Sequence, residues 1–79
     1  MREPKQKLII SFPSTTAAMA MEDVCKKRNY DGRLIPTPRE VTAGCGLSWA
    51  CDPSQEDAIR ALINQENLLF DQICTLFLK

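Results

Sequence analysis

Leu47-Ser48-Trp49-Ala50-Cys51-Asp52-Pro53 reads as a strand that turns directly into a helix. Leu47, Trp49 and Cys51 alternate with Ser48, Ala50 and Asp52, the pattern of a half-buried strand. Asp52 then offers an N-cap carboxylate, Pro53 suits the first helical position, and Glu56 and Asp57 put acids in the first turn. Ile59, Leu62 and Ile63 supply the apolar stripe of that helix, and Glu56 with Arg60 makes an i,i+4 pair. Asn64 to Asn67 ends it. Phe70 to Leu78 is apolar enough for a closing strand, with Ile73, Thr75 and Phe77 on one face and Cys74, Leu76 and Leu78 on the other.

The first half repeats this plan. Lys7-Leu8-Ile9-Ile10-Ser11-Phe12 is rich in branched and aromatic residues and stops at Pro13, as a strand does. Ser14, Thr15 and Thr16 offer N-cap hydroxyls. Ala17, Met21, Val24 and Cys25 recur at helical spacing, and Lys26-Lys27-Arg28 fills the last turn, where cations suit the helix dipole. Asn29 to Gly32 supplies the stop. Arg33-Leu34-Ile35-Pro36-Thr37 is a second short strand whose proline suits a sheet edge. The order is β-α-β-β-α-β, which predicts an α+β, ferredoxin-like sandwich: a four-stranded antiparallel sheet with two helices on one face. That layout sets the basic end of the first helix near the acidic start of the second. It also leaves one sheet face uncovered, and the apolar residues available for that face suggest a homodimer through it.

Seventy-nine residues allow one domain, 1–79, with residues 1–6 expected to be flexible. A chain of this size buries roughly 60–65% of the surface its unfolded form exposes, so stability is marginal without a partner or cross-link. Ten basic and ten acidic residues cancel, which argues against general affinity for nucleic acid or an anionic membrane surface. No apolar run approaches the ~20 residues a bilayer needs. Ser11, Pro13, Ser14, Thr15 and Thr16 interrupt any signal-peptide core, so a cytoplasmic address is expected.

The four cysteines at 25, 45, 51 and 74 contain no Cys-x-x-Cys pair, and the chain has no histidine. No metal site and no cofactor is therefore expected, and Cys-His and Ser-His-Asp catalysis are removed outright. Cys25, Cys51 and Cys74 fall at apolar periodic positions, where a thiol behaves as a small buried hydrophobe. Cys45 differs. It lies between Gly44 and Gly46 in a loop, just after Pro38-Arg39-Glu40. A nucleophilic thiol here needs activation by a cation or by backbone amides, because the thiolate is the reactive form. Arg39 and Arg33 are the candidate cations, Glu40 is the neighbouring acid, and the amides of Gly44 and Gly46 are candidates for an anion-binding concavity.

At these residues the chain resembles the family of Se/S carrier protein-like domains, found in bacteria alone or beside sulfur carriers of the TusA/SirA type. The resemblance rests on a strand ending Phe12-Pro13-Ser14-Thr15 before a helix with Ala18 and Glu22. It continues through Arg33-Leu34-Ile35-Pro36 to Pro38-Arg39-Glu40, and then Cys45-Gly46-Leu47 opening a strand that ends at Asp52-Pro53. The resemblance implies that Cys45 bears a transferable sulfur or selenium atom as a persulfide or selenosulfide. It implies a donor such as a cysteine desulfurase, a TusA/SirA-like partner, and the role of a carrier or accessory protein rather than a turnover enzyme. The extra cysteines are not part of the motif. Two rival readings use the same residues: a non-catalytic interaction or regulatory module working through its open sheet face, and a redox sensor pairing Cys45 with Cys51.

Overall fold

The computed structural model describes residues 5–41 and 46–78. Strand β1 (Lys5–Ser11) runs into helix α1 (Thr15–Lys27), followed by strands β2 (Arg33–Pro36) and β3 (Leu47–Cys51). A single 3-10 turn (Pro53–Gln55) leads into helix α2 (Glu56–Gln65), and strand β4 (Gln72–Leu78) closes the chain. The strands form one sheet in the order β2-β3-β1-β4 with every neighbouring pair antiparallel. This is the α+β, ferredoxin-like arrangement the sequence predicts. β1 begins two residues before Lys7, because its pairing with β4 extends to Lys5 opposite Leu78. Lys5 and Gln6 thus belong to the sheet rather than to a flexible start.

The helix boundaries follow from local chemistry. Ser14 caps α1, its Oγ accepting from the Ala17 amide at 3.2 Å. α1 stops where Asn29 takes a φ of 58°: the Asn29 amide donates to Lys26 O at 3.3 Å and the Tyr30 amide to Cys25 O at 2.8 Å. α2 ends the same way, with Asn67 at φ 53° and the Leu68 amide donating to Ile63 O at 3.0 Å. Asparagine tolerates this left-handed corner better than most residues, so both stops are written in the sequence. Asp52 does act as a cap, accepting from the Ser54 amide at 2.9 Å, but the turn it caps is 3-10, and α2 proper starts at Glu56.

One core lies between the helices and the sheet. Leu8, Ile10, Phe12, Trp49 and Cys51 meet Ala17, Ala18, Met21 and Cys25 of α1 and Ile59, Leu62 and Ile63 of α2. Each large aliphatic side chain buried there stabilises by about 1.5–3 kcal/mol. Trp49 is 2% exposed, its Nε1 has no hydrogen-bond partner, and it packs on the backbone of Gly32. Gly32 has a φ of +137°, and a Cβ built on it would meet Trp49 Nε1 at 2.6 Å. A side chain at this position would therefore collide with the indole.

The opposite face departs from expectation. β3 is buried on both sides, because Val41 from the β2–β3 connection packs on Ile9 and Ala50, with Ile35, Cys74 and Leu76 around them. The open face thus carries its own small apolar cluster. The basic end of α1 does lie beside the start of α2, where Arg28 lines one hollow with Ser54, Gln55 and Ala58, but the charges pair elsewhere. Lys26 and Lys27 pair within α1, with Glu22 at 4.0 Å and Asp23 at 3.1 Å, and Arg60 pairs with Glu56 at 2.9 Å. The link between the helices is Arg28 to Glu66 at the end of α2, not to its acidic start. Partners one turn away need less side-chain ordering than partners on another helix.

Candidate functional site

The β2–β3 connection is held at a neck and at a plug. At the neck the Thr37 amide donates to Gly46 O at 2.9 Å, and the hydroxyls of Thr37 and Ser48 share a hydrogen bond of 2.9 Å. Ser48 is fully buried, so that bond also satisfies a polar group taken out of water. Past the neck, Pro38-Arg39-Glu40-Val41 forms a turn closed by the Val41 amide donating to Pro38 O at 2.9 Å. The turn sets Arg39 and Glu40 at its exposed corners and sends Val41, 5% exposed, onto the sheet.

Of the site residues named from sequence, Arg39 and Glu40 are therefore solvent-facing neighbours on one turn. Gly46 forms one side of the neck with a φ of +75°, and a Cβ there would touch nothing within 4 Å. Arg33 is exposed at the far end of β2, opposite Ala50 in register and so in the same cross-sheet row as Ile9 and Cys74. Gly44 and Cys45 lie outside the described residues. Thr37, Val41 and Ser48 were not singled out by sequence reasoning. Val41 is the lone branched apolar residue between Pro38 and Gly46, and that isolation is the signal that marks it.

The three described thiols are poor nucleophiles. Burial pushes Cys25 up to about 11, with a smaller push from Cys51. Burial likewise raises Cys51 to about 11, the Asp52 carboxylate adding to the rise and Lys7 opposing it. Cys74, half-buried on the second face, is also raised by burial. The thiolate is the disfavoured form at all three positions. Among the described residues no group of three or more His, Cys, Asp or Glu side chains could hold a metal ion, and no helix is long and apolar enough to cross a membrane.

No curated protein and no solved structure matches the chain at a significant level. Residues 7–75 match the model of one family, which takes in both motif blocks, the neck and at least part of every strand. The chain belongs to the family described as "Putative Se/S carrier protein-like".

Proposed function

We propose that this protein carries a sulfur or selenium atom on Cys45, as a persulfide or selenosulfide, and delivers it to an acceptor protein. One observation carries the reading most: the three described thiols are all suppressed by burial, so a carrier of this family has Cys45 left to work with. The setting of the neighbouring residues suits the task. Gly46, bonded to Cys45, has open space around it, and Arg39 and Glu40 stand at exposed corners where a docking protein meets them. A low-exposure Cys51 with little thiolate is a poor resolving partner, which favours carriage over a Cys45–Cys51 sensor.

The chemistry needs neither histidine nor cofactor. The Cys45 thiolate attacks the terminal sulfur of a donor persulfide, as presented by a cysteine desulfurase. The new S–S bond forms on Cys45 as the donor's S–S bond breaks, and the donor leaves as a thiolate. Sulfur moves at the sulfane level with no external oxidant. An acceptor thiolate, such as that of a TusA/SirA-type carrier, repeats the step and frees Cys45.

The test is intact-mass measurement after incubating the reduced full chain with a cysteine desulfurase and cysteine. The expected result is a gain of one sulfur atom, reversed by reductant, mapped to Cys45 and absent from Cys45→Ser. No gain, or an equal gain in Cys45→Ser, overturns the proposal.

A further inference from the structure

The two edges of the sheet are guarded very differently. β2 is four residues long and carries Arg33 and Pro36, a charge and a residue with no amide hydrogen. Both are devices that keep another strand from adding to an edge. β4 is seven residues long, Gln72-Ile73-Cys74-Thr75-Leu76-Phe77-Leu78, with no charge, no proline and no glycine. It pairs with β1 on one side, and among the described residues no strand lies on the other. Phe77, on this strand, is 64% exposed, and Thr75 is exposed beside it. A long, apolar, unguarded edge is a template for strand addition.

We propose that a second copy of this chain covers it, β4 pairing antiparallel with β4 of the partner about a two-fold axis through Thr75. The strand is centred on Thr75, so this register pairs all seven residues. It sets Phe77 opposite Ile73 of the partner subunit on the helix side of the sheet, and Cys74 opposite Leu76 of the partner subunit on the other side. An aromatic against a branched residue is a favourable cross-strand pair, and it hides the exposed ring. The flanking charges favour this copy and this direction. In sequence Asp71 precedes the strand and Lys79 follows it, so an antiparallel copy brings unlike charges together at both ends, where a parallel copy brings like against like. The assembly is isologous and joins two four-stranded sheets into one of eight. It goes beyond the carrier reading and leaves the β2–β3 neck, at the other side of the sheet, uncovered.

Sedimentation equilibrium of the reduced protein from about 10 µM to 1 mM tests it, with the concentration range set by the weak end of interface sizes. The apparent mass should rise from 8.9 kDa toward twice that value. Thr75→Lys places two like charges face to face on the axis and should weaken association at least tenfold, while far-UV circular dichroism stays that of the native chain. Ile35→Lys, on the second face, should leave association intact. A mixed sample of isotope-labelled and unlabelled chains gives an independent reading, since Ile73 and Phe77 of one strand are about 13 Å apart and any contact between them is intermolecular. That contact should appear in the wild-type dimer. A chain that stays monomeric at 1 mM, a dimer that survives in Thr75→Lys, or association lost in Ile35→Lys overturns the proposal. The last result points to packing of the second faces. Monomer behaviour coupled with tight binding of an extended foreign peptide to β4 overturns the choice of occupant.

Discussion

Native-state alkylation should sort the cysteines by their burial. Cys25 and Cys51 are 0% and 3% exposed, and their thiols rise from 9.0 to about 11. A rise of that size leaves about a hundredfold less thiolate at neutral pH than an ordinary thiol has. Iodoacetamide reaches these sulfurs when α1 or the end of β3 opens, and an opened thiol regains its ordinary pKa, so the two effects do not multiply. A local opening that costs about 3 kcal/mol slows labelling by roughly a hundredfold. Cys25 and Cys51 should therefore react about a hundred times more slowly than a free thiol, with Cys74 between them and the free rate. The assay is a timed alkylation at pH 7.5, quenched in denaturant with a second reagent and read by peptide mass spectrometry. If Cys25 or Cys51 labels within tenfold of a free thiol in the native protein, the packing argument is wrong. The same experiment bears on the carrier proposal separately: Cys45 should label first, and a Cys45 no faster than Cys25 or Cys74 removes the chemical basis of that proposal.

Two further predictions concern stability. The raised thiols stabilise the native state while protonated, since the folded pKa lies above the ordinary 9.0; their contribution is whole below about pH 9 and is lost as pH climbs toward 11. Chemical denaturation across that window should show falling stability, and Cys51→Ala should flatten the fall; an unchanged slope contradicts the assignment to these thiols. Gly32→Ala should cost about 2–5 kcal/mol, combining strain at φ +137° with the collision against Trp49 and the Ala50 carbonyl, and should lower the melting temperature by about 10 °C or more. Gly46→Ala, with nothing within 4 Å of its new methyl, should cost only about 1 kcal/mol of backbone strain; equal losses in the two variants refute the contact at Gly32.

The fold was legible because each element carried its own punctuation. Pro13 with Ser14, Asn29 and Asn67 mark helix ends, and Asp52 with Pro53 marks the 3-10 turn that leads into α2, all by backbone chemistry that acts within a few residues. The alternation in Leu47–Cys51 was legible as a strand, but its second buried face was not. Ser48 and Ala50 read as solvent-side residues, but the β2–β3 connection folds back on them, Val41 packing on Ala50 and Thr37 bonding to Ser48. The pairing of Arg28 with Glu66 was hidden for the same reason, since topology gives helix direction but not which long side chains meet. At the candidate site, periodicity separated Cys25, Cys51 and Cys74 from Cys45. Proximity to Cys45 along the chain is what points to Arg39 and Glu40 as site residues; the structure adds that they form the corner that aims Val41.

That duty changes how the family motifs are to be understood. Phe12-Pro13-Ser14 buries an aromatic ring, ends a strand and caps a helix; Pro38 to Val41 makes a turn and plants a plug on the sheet. Both stretches therefore have a scaffold role, whatever else Arg39 and Glu40 do. Between the Val41 plug and the Gly46 neck only Thr42, Ala43, Gly44 and Cys45 remain. Under the carrier proposal, the same two held points, Val41 and Gly46, flank Cys45 in the sequence whether a donor or an acceptor docks. On that proposal neither point adds a side chain that would compete for the sulfur: the hydroxyls of Thr37 and Ser48 are engaged with each other, and Val41 has no polar atoms beyond its backbone.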